Sequence, residues 1–156
     1  MSQEFRDAMA RLAAGVVVVS TSTAGGYKGL TATSLVSVSL EPPMVLVALE
    51  RESATRAAIV ESGRFGISVL TRAQEFIAER FAGRAPAVDP RWPDIPHRKG
   101  AHGLPLIEGC AAWLECRVDQ VHEAGDHEVL IATVESASLG KGDPLILWDR
   151  SFWTLH

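Results

Sequence analysis

Residues 29–50 read GLTATSLVSVSLEPPMVLVALE, and this stretch decides the fold. Residues 31–34 are all small, and three of these four residues carry a hydroxyl group. Apolar and hydroxyl residues alternate over 36–40, which predicts a strand with one face open to solvent. The prolines at 42 and 43 end that strand, because proline lacks the amide hydrogen that a sheet ladder needs. Residues 44–49 are apolar at every position, so we expect a central strand that is buried on both faces.

The rest of the chain predicts further strands, joined mostly by tight turns, and a few short helices. Helical periodicity and helix-ending glycines predict helices over residues 3–14, 56–61 and 71–83. Short β-rich runs predict strands over residues 16–23, 27–34, 65–70, 110–121, 127–134, 144–148 and 151–155. About seven or eight strands with two or three helices predict a mainly β fold, a closed antiparallel barrel with peripheral helices. No repeat or linker divides the chain, so we expect one domain over residues 1–156.

Local patterns add detail to this expectation. Residues 53–55 read Ser-Ala-Thr and predict the cap of the second helix, which Gly63 ends. Thr71 and Gln74 have the spacing of a capping box before the third helix. Residues 84–105 contain five prolines and predict a long irregular excursion, which in a compact domain is often functional.

The bulk composition excludes several classes of protein. The chain has 156 residues, 47% of them hydrophobic, and a formal net charge of −4 without a basic stripe, which argues against a nucleic-acid partner. No apolar run approaches the roughly 20 residues that span a bilayer, and the N-terminus does not resemble a signal peptide. Cys110 and Cys116 lie about 20 Å apart if both are in one strand, too far for a disulfide. We therefore expect a cytoplasmic protein with two free thiols and no metal site.

The sequence lacks the common signatures of an autonomous catalytic site. A GxGxxG motif, a phosphate-binding GxxxxGK[ST] loop, an HExxH zinc motif and a GxSxG nucleophile elbow are all absent. An enzyme without these devices can leave the chemistry to a bound cofactor, which the protein positions and polarises.

The chain resembles the flavin reductase domain family in five segments that follow one another in order. They are GLTATSLVSVSLEPPMVLVAL, Ser53, FGISVL, AERFAG and GDH. The resemblance extends over residues 5–155. It implies an antiparallel split β-barrel that binds FMN or FAD, an NAD(P)H:flavin oxidoreductase activity, and a homodimer with the flavin near its interface. Many family members supply reduced flavin to a partner monooxygenase. The resemblance does not choose between FMN and FAD or between NADH and NADPH, nor between a tightly bound and a passing flavin.

Residue by residue, the resemblance implies a flavin site. The matching positions are Thr31, Ala32, Thr33, Ser34, Ala48, Leu49, Ser53, Thr55, Phe81, Ala82 and Gly83. Small side chains let the backbone approach the flat ring, and Ser53 and Thr55 stand at a predicted helix N-terminus that favours a phosphate. The same residues also have purely structural explanations. Residues 31–34 fit an ordinary Ser/Thr strand face, Ser53 and Thr55 fit a helix cap, and Phe81 fits the last core residue of a helix.

His127 belongs to the GDH segment, which the resemblance places beside the nicotinamide as the catalytic histidine. If Ala124-Gly125 is a two-residue hairpin loop, His122 faces His127 across the strands, but no third metal ligand is evident. The resemblance also suggests residues 84–105 as a lid. The C-terminal segment WDRSFWTLH departs from the Tyr/Arg-rich ending that is common in the family, so we assign it no site residue.

The implied mechanism is hydride transfer from nicotinamide C4 to flavin N5, which needs proximity and orientation more than a strong acid or base. The main alternative is a flavin-binding split-barrel module without reductase activity, such as a carrier or a sensor. A related enzyme that oxidises pyridoxine phosphate is a third possibility, but it requires more basic phosphate ligands than this sequence has.

Overall fold

The structure is a computed structural model and describes residues 2–82 and 92–155. Its helices are α1 (Gln3–Ala10), α2 (Ala54–Ser62) and α3 (Glu75–Phe81), with short 3₁₀ turns at Arg72–Gln74 and Trp92–Asp94. Its strands are β1 (Ala14–Gly15), β2 (Val17–Thr23), β3 (Gly26–Ala32), β4 (Val36–Leu40), β5 (Pro43–Glu50), β6 (Arg64–Val69), β7 (His97–Lys99), β8 (Pro105–Ile107), β9 (Ala112–Ala124), β10 (His127–Leu139), β11 (Leu145–Trp148) and β12 (Ser151–Thr154). No helix in these two ranges is long and apolar enough to cross a membrane.

Seven strands form one antiparallel sheet in the order β3-β2-β6-β9-β10-β5-β4. Ala32 near one edge of the sheet and Val45 and Val47 near the other edge belong to the same buried cluster, together with Phe65 and Leu130. The sheet therefore curls around a single core, although β3 and β4 share no ladder in the described chain. The predicted mainly β fold with antiparallel strands is confirmed, whereas the ladder between β3 and β4 that would close the barrel is absent from the described chain.

A second buried cluster covers the outside of the barrel. Val17 and Val19 of β2 point into the inner cluster, whereas Val16 and Val18 join an outer cluster that includes Leu70. The small sheet β1-β11-β12, helix α3 and Trp92 complete this outer layer. The uninterrupted valine run over 16–19 thus follows from burial on both faces of β2.

Two local expectations were wrong. Helix α1 ends at Ala10, not at residue 14, because Ala14 and Gly15 pair as a strand with β11. The β9–β10 hairpin turns at Gly125-Asp126, since Ala124 pairs with His127. Gly125 has φ 63°, which suits the first central position of a two-residue hairpin turn. The one-residue shift places His122 opposite Val129 and removes the suggested histidine pair.

The two strands of the 29–50 stretch also differ from expectation in burial. On β5 only alternate residues are buried, and the others are half-buried or, at the two ends of the strand, exposed. Both faces of β4, the edge strand of the sheet, reach solvent, because little packs on either face. The predicted caps of α2 and of the Arg72–Gln74 turn are both present. Within the 84–105 excursion, residues 92–105 contain a 3₁₀ turn and strand β7, and residues 84–91 lie outside the described ranges.

A phenylalanine pair tests the position of the inner core. Phe65 is fully buried in the inner cluster, whereas Phe76 on α3 is 63% exposed. Replacing Phe65 with Ala removes buried apolar surface and leaves a cavity, so we expect a loss of roughly 3–5 kcal/mol in the free energy of unfolding. Urea denaturation measures this value, and Phe76→Ala serves as the matched control with a change within about 0.5 kcal/mol. Equal losses in both variants would contradict this core assignment.

Candidate active site

A cleft of about 450 Å³ opens where the ends of β3, β5 and β10 meet the helices α2 and α3. The residues that line it are Leu30, Thr31, Ala32, Thr33, Ser34, Ala48, Leu49, Glu50, Ser53, Phe81, Ala82 and His127. Ten of the twelve residues predicted from the sequence are among them. Of the other two, Thr55 is not in the lining, and Gly83 lies outside the described residues.

Two hydroxyl groups of the small-residue segment are used inside the protein. The Ser34 hydroxyl donates to the Ala48 carbonyl (2.7 Å) and accepts from the Ala48 amide (3.2 Å). The Thr31 hydroxyl donates to the carbonyl of Ala78 on α3 (2.6 Å). Thr33 is exposed and makes no recorded side-chain hydrogen bond in the described chain. This wall therefore offers the cleft mainly small side chains, with Thr33 as its free hydroxyl.

The Ser34 contact has a structural cause. Strand β4 pairs with β5 only as far as Val36 opposite Leu46. Ala48 lies two residues further along β5, where β4 no longer pairs with it. The Ser34 side chain forms the hydrogen bonds to the Ala48 backbone there instead. Because an unpaired buried backbone group is costly, this side-chain bridge lets the ladder end without an unsatisfied amide.

The N-terminus of α2 meets the cleft at Ser53. The Ser53 hydroxyl caps the helix by accepting from the Arg56 amide (3.2 Å). The amides of Ala54 and Thr55 are in the first helical turn, where no intrahelical acceptor is available, and no partner is recorded for them in the described chain. Such amides and the helix dipole favour an anion. The side chain of Thr55 is buried and donates to the Gly29 carbonyl at 3.4 Å, so only its amide can serve a ligand.

An aromatic cluster supports the α3 side of the cleft. Phe81 is 5% exposed, and its ring lies 5.1 Å from the ring of Trp92. A Cβ atom at Gly29 would come within 2.9 Å of the Phe81 ring. Phe81 can therefore pack against β3 only because residue 29 is a glycine. Phe81 is therefore both the core residue and the cleft residue that the sequence suggested as alternatives.

His127 begins β10 and stands directly opposite Glu50 of β5. Its Nδ1 lies 2.7 Å from a carboxylate oxygen of Asp126, and the hydrogen bond from His127 holds the pKa of Asp126 below its usual value. With Nδ1 engaged, Nε2 is the ring nitrogen left for a ligand. Sequence reasoning missed Leu30 and Glu50. The strand register would have indicated Glu50, since cross-strand partners share one face of a sheet.

The cysteines take no part in this site. Burial raises the pKa of Cys110 to about 11 and that of Cys116 to about 12, so both thiols stay protonated at neutral pH. Cys110 precedes β9 instead of lying within it, and the two thiols belong to different buried clusters. Over residues 2–82 and 92–155, no group of three or more His, Cys, Asp or Glu residues is arranged to hold a metal ion.

Comparison with known proteins identifies the family. The family described as "Flavin reductase like domain" matches residues 9–156. The chain is 39% identical over 156 residues to FMN reductase (NADH) RutF 2 of Methylorubrum extorquens (strain PA1), covering 97% of this chain and 88% of the relative. It is 33% identical over 153 residues to the reductase component of 4-hydroxyphenylacetate 3-monooxygenase of Thermus thermophilus, covering 97% and 95% of the two chains.

A solved structure agrees with this assignment. The NADH:FAD oxidoreductase SgcE6 of Streptomyces globisporus C-1027, in complex with NAD and FAD fragments, superposes with a TM-score of 0.91 at 29% sequence identity. The match covers 98% of this chain and 92% of SgcE6. The ordered segments of the sequence, the split barrel and these matches lead to one conclusion: the chain belongs to the flavin reductase like domain family.

Proposed function

We propose that this protein is an NAD(P)H-dependent flavin reductase, in which a hydride passes from a nicotinamide to FMN or FAD. The observation that carries the proposal is the cleft itself, because residues from four separate segments of the chain converge on it. The relatives named above as an FMN reductase and as a monooxygenase reductase component support the same activity. The proposal treats residues 1–156 as one flavin reductase domain.

The residues of the cleft fit a flavin. Its volume of about 450 Å³ is in the range of small-molecule sites. The small side chains of residues 31–34 allow close approach by a flat ring, and Phe81 supplies a rigid apolar wall. The free amides of Ala54 and Thr55 would hold the flavin phosphate.

The chain's own contribution is to hold and orient two rings. A bound flavin supplies the hydride acceptor, N5 of its ring system. Residues 31–34 together with Ala48 and Leu49 would hold the ring plane in the cleft, which brings the proximity that hydride transfer needs. His127, with Nδ1 fixed by Asp126, would present Nε2 to the nicotinamide.

The wider biological setting is also part of the proposal. The reduced flavin would pass to a partner monooxygenase, as the reductase-component relative suggests. Two free, buried thiols fit a reducing compartment, so we place the protein in the cytoplasm.

A direct assay tests the activity. Purified protein is mixed with NADH or NADPH and either FMN or FAD, and the nicotinamide absorbance is followed. We expect many turnovers per protein with at least one flavin and one nicotinamide, because a released flavin can be reduced repeatedly. A protein that binds flavin but oxidises neither nicotinamide would refute the reductase assignment and indicate a flavin-binding carrier or sensor instead.

His127→Ala tests the nicotinamide-side histidine. Losing the imidazole removes a contact to the nicotinamide, so we expect KM for the nicotinamide to rise or kcat to fall about tenfold or more, while flavin affinity changes little. Steady-state kinetics and flavin titration separate the two effects. His122→Ala is the matched control, because His122 faces Val129 on the neighbouring strand and does not line the cleft. Full turnover in His127→Ala would remove the assigned role.

We further propose a homodimer that forms along β4. The edge residues Val36, Val38 and Leu40 are 51%, 49% and 86% exposed, and an exposed apolar edge strand favours pairing with a second chain. Strand β4 follows residues 33–35 directly, so this interface would border the cleft.

Light scattering coupled to size-exclusion chromatography tests the dimer. We expect twice the chain mass of 16.8 kDa for the unmodified protein and a shift towards one chain mass for Val38→Lys. Val60→Lys, at a 39% exposed position on α2, is the control that keeps the dimer. A monomer at micromolar concentration, or a dimer that tolerates Val38→Lys, would contradict an interface along β4.

A further inference from the structure

An ion pair joins the first turn of α2 to strand β10 beside the cleft. The Arg56 guanidinium lies 2.7 Å from the Glu128 carboxylate, and the two side chains are only 21% and 16% exposed. Arg56 follows Ala54 and Thr55, whose amides have no recorded partner in the described chain. Glu128 directly follows His127, which lines the cleft. The pair itself is not part of the lining, so it connects two elements of the cleft wall from behind.

The two ends of α2 are held to the barrel in different ways. Ile59, about one turn after Arg56, is fully buried in the inner cluster. The first turn is held by polar contacts instead. Thr55 donates to the Gly29 carbonyl of β3 at 3.4 Å, whereas the ion pair to Glu128 is shorter and charge-assisted. Without the ion pair, the helix should therefore stay packed on the barrel, while its first turn loses its firmest attachment.

Burial limits what this ion pair can add to the stability of the fold. Taking two charges out of water costs free energy that their mutual attraction often does no more than return. In addition, Arg56 Nε is buried and has no hydrogen-bond partner in the described chain, and an unpaired buried donor is itself costly. What the pair does contribute is geometry, because a short contact to a strand of the sheet holds the end of the helix in one place.

We propose that Arg56 and Glu128 are a positioning pair that sets where the α2 amides meet the phosphate of a bound flavin. The inference rests on the proposed reductase function, in which the amides of Ala54 and Thr55 hold that phosphate. Displacing these amides weakens hydrogen bonds to a charged group, and losing one such bond corresponds to about a tenfold change in affinity. Riboflavin has the same ring system but no phosphate, so its affinity would not depend on the pair.

Flavin titrations of a double variant test this role. Arg56→Met combined with Glu128→Gln removes both charges, so the net charge near the phosphate does not change. We expect the dissociation constant for FMN to rise about tenfold, while the dissociation constant for riboflavin stays nearly unchanged. KM for FMN should rise in parallel, with little change in kcat at saturating FMN. Quenching of flavin fluorescence measures both dissociation constants.

The single variants separate position from charge. If the pair acted only through its charges, Arg56→Met would weaken FMN binding, Glu128→Gln would strengthen it, and the double variant would bind FMN as the unmodified protein does. The positioning role instead predicts weaker FMN binding in the double variant. Glu128→Asp keeps both charges but shortens one side chain by a methylene group. It should also lower the affinity for FMN relative to riboflavin, and it replaces the double variant as the test if that variant does not fold.

A second ion pair on β10 provides the matched control. Arg64 and Glu135 lie at a similar distance, 2.8 Å, but they join β6 to β10, and neither residue lines the cleft. Arg64→Met combined with Glu135→Gln should therefore remove a comparable ion pair without changing the affinity for either flavin. Circular dichroism checks that each variant is folded.

The possible outcomes distinguish this inference from the reductase assignment. If the double variant keeps its affinity for FMN, or if its affinities for FMN and riboflavin fall equally, the positioning role is refuted and the reductase assignment stands. Unmodified protein that binds FMN no more tightly than riboflavin would refute the placement of the phosphate and the inference with it. If the unmodified protein oxidises neither nicotinamide, the reductase assignment fails, and the flavin titrations still test the pair. A loss of affinity confined to FMN would support the inference.

Discussion

The reciprocal hydrogen bonds between Ser34 and Ala48 are the constraint on which the cleft depends. They tie the segment that joins β3 to β4 onto the exposed edge of β5, at the point where the β4 ladder stops. The β4 ladder thus ends with the Ala48 amide and carbonyl both paired. Within residues 31–34, Thr31 and Ser34 use their hydroxyl groups for such bridges, and the segment lines one wall of the cleft.

The groups near the cleft differ in whether they are free to bind an anion. Backbone amides at the start of α2 are available to an anion, whereas Arg51 and Arg56 are held by neighbouring carboxylates. Unpaired amides at a helix start favour an anion through the helix dipole. The β5–β10 register brings His127 and Glu50 together at this end of the cleft.

Much of the fold was predictable, because its signals are local. The proline pair after residue 40, the caps at Ser53 and Thr71 and the glycine at 63 are chemical requirements of single turns. The site residues were predictable through resemblance to a family, since no spacing rule places residues 31–34 beside Phe81. The function of these residues as flavin ligands remains a prediction.

The structural features that the sequence could not predict depend on strand pairing between residues that are distant in the chain. The end of α1 is set by pairing between Ala14 and Leu147, and the turn at Gly125-Asp126 places His122 opposite Val129 instead of His127. β4 is the edge strand of the seven-stranded sheet, and residues on both of its faces are exposed in the described chain. Glu50 was missed for the same reason, because only the strand register places it opposite His127.

A crystal structure of the protein with FMN tests the central claim most directly. The account predicts electron density for the ring system against residues 31–34 and Phe81, with the phosphate on the amides of Ala54 and Thr55. Density instead in the separate cavity of about 400 Å³ that includes Tyr27, Trp92 and His97, or a phosphate far from α2, would contradict it.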